Sequence, residues 1–217
     1  MKRLCSVLAI VLAGVAMTAR PVDASPILAI SNVTDSGFTV NNTLGYSFTA
    51  LDDLIATDLG IFDLDLATNV IGDGLTEAHT VGLWKADGTL LASAIVPAGT
   101  AGTLSGGFRY TSIAPILLES GATYVLGAHY LSAIIGDAYT ISTVATFAWD
   151  SLIAPGTGIR FEGGFGFPNN NQPDFLGGPN LIVSAAPDST PVPEPGTMAL
   201  LGAGLVSAAA ARRRTRK

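Results

Sequence analysis

The chain has 217 residues, with 11 Lys and Arg against 17 Asp and Glu and a single cysteine. Residues 25–191 hold three cations, Lys85, Arg109 and Arg160, against fifteen carboxylates, an excess of twelve negative charges that repels phosphate backbones and excludes nucleic acid as a partner. Cys5 lies in an apolar N-terminal run, so the rest of the chain has no disulfide, no thiolate nucleophile and no cysteine-based metal site.

At the N-terminus Lys2 and Arg3 precede the apolar run 4–17, and Val22 and Ala24 place small residues at the −3 and −1 positions before Ser25. This is the layout of a secretory signal peptide over 1–24, cleaved after Ala24 by signal peptidase once the general secretion machinery has engaged it. The run has 14 residues. A spanning helix needs about 20, so a retained anchor is the weaker alternative.

Residues 25–186 are expected to form one all-β domain, a β-sandwich of jelly-roll-like type. Short apolar or alternating runs recur at 27–31, 38–40, 44–49, 58–63, 80–84, 90–96, 107–113, 123–130, 139–148, 158–162 and 180–184. Gly, Asp, Asn and Pro clusters punctuate them, and even spacing with turn signals is the pattern of a sandwich or barrel. The nearest approach to a helix is 51–59, where Asp52 and Asp53 offer a start for a turn or two before Thr57 and Gly60 argue against more. The clearest hairpin joins 79–85 to 90–96 through Asp87-Gly88, which tolerates the backbone angles of a tight turn. Alternation puts Val81 and Leu83 on one face of its first strand, with Thr80, Gly82 and Trp84 on the other.

Few residues carry chemistry. His79 and His129 each sit on a predicted strand among apolar neighbours, which fits structural histidines. No Gly-x-Ser-x-Gly elbow, Walker loop or dinucleotide loop occurs, and Thr103-Leu104-Ser105-Gly106 reads as a glycine-rich turn. Carboxylates are numerous, but no pair stands out for glycosidase chemistry. Asp63-Leu64-Asp65 with Gly72-Asp73-Gly74 is the densest set of oxygen ligands and the one place where Ca²⁺ is conceivable, although EF-hand spacing and a closing glutamate are missing. No cofactor and no other metal is expected. Asn32-Val33-Thr34 and Asn41-Asn42-Thr43 match a glycosylation acceptor pattern that matters only in a eukaryotic secretory pathway. The segment 162–175 departs from the strand pattern, with three phenylalanines, three asparagines and two prolines. It reads either as an exposed loop suited to sugar rings or as a long loop whose phenylalanines fold back onto the domain.

After the domain, 187–196 forms a stiff linker with four prolines, Pro187, Pro191, Pro193 and Pro195. The apolar run 197–211 follows, expected as a transmembrane helix of ~22 Å against a bilayer core of ~30 Å. Arg212, Arg213, Arg214, Arg216 and Lys217 then act as a stop and keep that tail cytoplasmic.

Val192-Pro193-Glu194-Pro195, the Gly/Ala/Leu helix and the arginine-rich segment together resemble the PEP-CTERM sorting signal of Gram-negative bacteria. The resemblance implies recognition of Pro193, Glu194 and Pro195 by an exosortase, a membrane-embedded transpeptidase-like enzyme, and a role linked to exopolysaccharide, biofilm or cell-surface assembly. The signal is not a sortase label, since Leu-Pro-x-Thr-Gly is absent, nor a GPI signal, whose hydrophobic tail lacks a basic end. Gly45-Tyr46-Ser47-Phe48, Leu59-Gly60-Ile61-Phe62-Asp63, Gly72-Asp73-Gly74-Leu75, Gly88-Thr89-Leu90-Leu91-Ala92 and Phe108-Arg109-Tyr110 are similar to a β domain, of no assigned activity, seen ahead of such signals; so is 79–84. The expectation is therefore an exported, transiently anchored, non-enzymatic surface or matrix protein. A carbohydrate-binding module using exposed Trp84, Trp149, Tyr130 or Phe165, with polysaccharide as partner, is the alternative, and a secreted hydrolase the third.

Overall fold

A computed structural model describes residues 24–33, 41–65, 70–131, 136–187, 202–205 and 212. The segment 1–23, the expected strand at 38–40, Pro193, Glu194 and Pro195, and all the terminal basic residues except Arg212 lie outside them. The chain divides into two units, one of Val22–Ala186 and the other of Met1–Pro21 with Pro187–Lys217. In the second unit residues 202–205 and Arg212 are helical and exposed. No helix among the described residues is long and apolar enough to cross a membrane.

The first unit is all-β, and its described strands form two main antiparallel sheets. One sheet runs β1 (Ser25–Pro26), β15 (Pro179–Ala185), β4 (Leu54–Phe62), β8 (Phe108–Leu118) and β7 (Thr103–Ser105). The other runs β13 (Asn170–Asn171), β12 (Ile153–Glu162), β3 (Asn42–Ala50), β9 (Thr123–Tyr130), β5 (His79–Lys85) and β6 (Leu90–Val96). Two short ladders complete it, β2 (Leu28–Ser31) on β11 (Thr146–Trp149) and β10 (Thr140–Ile141) on β14 (Leu176–Gly177).

Alternation decides which side chains are buried, because successive residues of a strand face opposite ways. Leu59 and Ile61 of β4, Leu181 and Val183 of β15, Tyr46 and Phe48 of β3, and Leu126 and Ala128 of β9 all join one apolar core. That core therefore draws on both sheets. Val81 and Leu83 belong to it, whereas Trp84 belongs to a second cluster with Val125 and Ile159. Strand β5 is thus covered on both faces.

The hairpin between β5 and β6 forms as expected. Gly88 adopts φ 90°, its amide donates to the Lys85 carbonyl at 3.0 Å, and the Thr89 amide donates to Asp87 Oδ1 at 2.9 Å. A bulge follows, since Leu83 opposes Ala92 but Trp84 opposes Leu90. Three local expectations differ from the structure. Asp52 and Asp53 start no helix, because the Asp53 amide turns onto Asp52 Oδ1 and Leu54–Phe62 is strand with Leu54 and Ala56 buried. Thr103-Leu104-Ser105 is not merely a turn but the edge strand β7, paired with 108–110 of β8. The run 139–148 is broken, with the Ala145 amide donating to Ile141 at 3.1 Å so that β10 and β11 join different partners.

Candidate functional site

Two buried polar pairs organise the loops between strands. His79 opens β5, and its Nε2 lies 2.8 Å from Asp137 Oδ2 with both side chains fully buried. Its Nδ1 lies 3.0 Å from the His129 carbonyl, which can only accept, so that contact calls for the Nδ1–H form. Asp137 also accepts the amides of Thr76 at 2.9 Å and Glu77 at 3.2 Å, which holds the approach to β5 in place. The second histidine, His129, is half-buried with Nε2 3.2 Å from Asn41 Oδ1, and burial lowers its pKa, helped by the nearby His79.

The second pair is Asp63 with Arg109, at 2.7 Å from Nε to Oδ2. Arg109 extends the rest of its fork to three carbonyls, Nη2 to Gly72 at 2.8 Å and Nη1 to Thr100 and Gly102 at 3.3 Å. Asp63 also accepts the Gly74 amide at 3.2 Å. Burial pushes the Asp63 carboxyl up, and Arg109 and the Gly74 amide oppose that rise. Asp63, one member of the oxygen-rich cluster considered for Ca²⁺, is thus taken up by a guanidinium and an amide. Among the described residues no group of three or more His, Cys, Asp or Glu is placed to hold a metal ion.

The aromatic residues expected on the surface are distributed differently. Trp84 is 3% exposed, and Tyr130 is 0% exposed. Trp149 packs edge-on to Tyr46 at 5.1 Å and to Phe175 at 5.0 Å. Phe165 is the most exposed of the four, at 37%, and even it stacks on Trp84 at 5.4 Å. These four side chains do not form a shared exposed platform. For Trp84 and Phe165 the reason lies in a row of glycines: Gly45, Gly127 and Gly82 are paired across β3, β9 and β5. Without side chains they leave a trough on the sheet face, and Cβ atoms there would run into Trp84, Phe165 and Pro168 at Gly82 and Gly127. The glycine-rich segment folds back over that trough, pinned by Thr43 Oγ1 donating to Gly164 at 2.9 Å and by the Gly163 amide donating to Asn42 Oδ1 at 3.2 Å. Of the two alternatives for 162–175, its phenylalanines follow the inward one.

Farther along the same segment lies a small open cleft of about 190 Å³ lined by Tyr139, Ile141, Gln172, Pro173, Asp174 and Leu176. The Gln172 amide nitrogen of the backbone donates to Gly158 at 2.8 Å, and Ile141 pairs with Leu176, so both walls are tied to strands. Gly158 is required here, since a Cβ would strike the Asp174 carbonyl. Neither Tyr139 nor Asp174 stood out in the sequence; the amides and prolines of 168–173 adjoin Asp174 alone.

A protein-family model described as the PEP-CTERM protein-sorting motif matches residues 191–214. The chain carries a PEP-CTERM sorting signal. The match spans Pro193, Glu194, Pro195, Arg212, Arg213 and Arg214. A PEP-CTERM signal implies export, handling by an exosortase-type enzyme and sorting to the cell surface. No curated protein and no solved structure matches the chain.

Proposed function

We propose that the protein is a non-catalytic component of the cell surface or extracellular matrix, linked to exopolysaccharide and biofilm. The sorting motif at 191–214 carries this reading. Residues 1–24 act as a cleaved signal peptide and 197–211 as a short membrane helix that holds the chain beside the exosortase. Pro193, Glu194 and Pro195 are the part recognised, and Arg212, Arg213, Arg214, Arg216 and Lys217 hold the tail on the cytoplasmic side. The helix is provisional because ~22 Å falls short of a ~30 Å hydrocarbon core. Support for the absence of catalysis comes from the commitment of Asp63, Arg109, His79 and Asp137 to buried bonds.

The exported domain, on this reading, is a jelly-roll-like sandwich of its two main sheets. The single apolar core to which both contribute supports that arrangement. Mass spectrometry of the two ends of the surface-located protein tests the processing. A mature start at Ser25 and loss of Arg212 to Lys217 are expected. Retention of those basic residues on the final protein would refute provisional anchoring, and unchanged location after deletion of 193–217 would refute sorting by this signal.

A further inference from the structure

The geometry points to the cleft beside β10 and β14 as a binding site for one pyranose unit of a neutral or amino sugar. This goes beyond the sorting role and does not depend on it. The argument begins with the donor and acceptor balance of the lining. Both amide hydrogens of Gln172 Nε2 are used within its own loop, on the carbonyls of Asn170 at 3.1 Å and Asn171 at 3.0 Å. Its Oε1 is left as an acceptor. Asp174 adds two carboxylate oxygens, and its side chain makes no hydrogen bond to the described residues.

The polar wall from these two residues therefore offers acceptors, and a ligand that fits must bring donors. The rest of the lining is Tyr139 with apolar surface from Ile141, Leu176 and Pro173. A pyranose matches both halves: its hydroxyl or ammonium groups donate to Asp174 and Gln172, and its C–H face lies against Tyr139. Sugars with carboxylates are disfavoured by Asp174 and by the excess negative charge of the domain. At about 190 Å³ the cleft is below the roughly 300–1,000 Å³ of sites for larger ligands, which limits it to a single ring of a longer chain.

The cleft is also held in shape before any ligand arrives. Tyr139 packs edge-on to the buried Tyr130 at 5.7 Å. The Phe175 amide donates to Ser142 Oγ at 3.4 Å, joining the two walls beyond the Ile141–Leu176 pair.

The test is calorimetric titration of the full chain in detergent with glucan, mannan, galactan, xylan, chitosan and polygalacturonate oligomers. Saturable binding of at least one neutral or amino oligomer is expected, with polygalacturonate weaker. Asp174→Ala and Gln172→Ala should each weaken it by about tenfold, the loss of one hydrogen bond to a charged or amide acceptor. Tyr139→Ala should do the same, and circular dichroism of each variant shows whether the fold is kept. Because Asp174 and Gln172 are not core residues, they keep the test decisive if Tyr139→Ala fails to fold. No saturable binding by any oligomer, binding that survives Asp174→Ala and Gln172→Ala unchanged, or a preference for polygalacturonate would overturn the assignment.

Discussion

His79 and Asp137 stand 58 positions apart in the chain and meet side chain to side chain at 2.8 Å, both out of reach of solvent. Because Asp137 also accepts two backbone amides, it serves as the anchor of a whole loop and not only as the partner of one histidine. Asp137→Ala should cost about 3–5 kcal/mol, the range for removing one member of a buried pair. Asp137→Asn should cost less, since its carbonyl can still accept the Thr76 amide while its NH₂ donates to a neutral His79, and only the bond from the Glu77 amide, made to the oxygen that the NH₂ replaces, is lost. Urea unfolding of the two variants measures the difference, and equal losses would show that the pair needs its charge.

Asp63 and Arg109 should behave as a coupled unit. Asp63→Leu strands a buried guanidinium and is expected to cost about 3–5 kcal/mol. Arg109→Met removes the donor from three carbonyls as well and should be at least as damaging. In the double variant the losses should fall short of their sum by about 1–3 kcal/mol. A double-mutant cycle by chemical denaturation gives that figure directly.

Alkaline pH should unfold the domain steeply. Burial raises the pKa of Tyr46, Tyr110 and Tyr130 above the ordinary value of 10.0. Groups with raised folded pKa values contribute their full stability below pH 10.0 and lose it as the unfolded chain ionises above that. Three such tyrosines give a slope of about 4 kcal/mol per pH unit. Tyr130→Phe should remove about a third of that slope. It should leave stability at neutral pH unchanged or higher, because the Tyr130 hydroxyl has no hydrogen-bond partner among the described residues. Tyr46→Phe, by contrast, loses a 3.0 Å bond to the Pro179 carbonyl and should cost about 1 kcal/mol. Unfolding followed by circular dichroism across pH 9–12, a window set by the ~10 reference value, checks all of this.

The aromatic cover over the glycine trough can be read by fluorescence. With Trp149→Phe as background, Phe165→Ala should increase acrylamide quenching of Trp84. Its stability cost should be under the roughly 3–5 kcal/mol of a fully buried aromatic, because Phe165 is 37% exposed. Unchanged quenching would mean that Phe167 and Pro168 shield the indole alone.

Alternation and turn chemistry made much of the fold legible. The run 123–130 is strand β9 end to end, and Asp87-Gly88 closes the hairpin where its chemistry required. Neighbours in sequence carry that kind of signal. Strand β7 was missed because three residues are too few for a period, and its pairing comes from β8 rather than from its own composition. The buried pairs were invisible for another reason: Asp63 and Arg109 are 46 positions apart, and although Asp63 stood in an oxygen-rich cluster, nothing local joins it to Arg109. Trp84 was placed correctly opposite Val81 and Leu83, but its cover comes from residues about eighty positions later. The sorting motif at 191–214 is contiguous and was legible in the sequence.

The position of β15 has a temporal consequence. It is the last strand of the domain, yet it lies inside its sheet, between β1 and β4. A chain that crosses a membrane from its N-terminus delivers β4 and β8 first, and one side of β4 stays unpaired until Pro179–Ala185 arrives. Strand β1, which leads, pairs with β15 and so waits for the whole domain to pass. Pairings this distant in sequence form late. Completion of the sheet and delivery of the linker to the sorting signal are therefore nearly simultaneous, so that the signal becomes accessible on a domain that has only just become able to close.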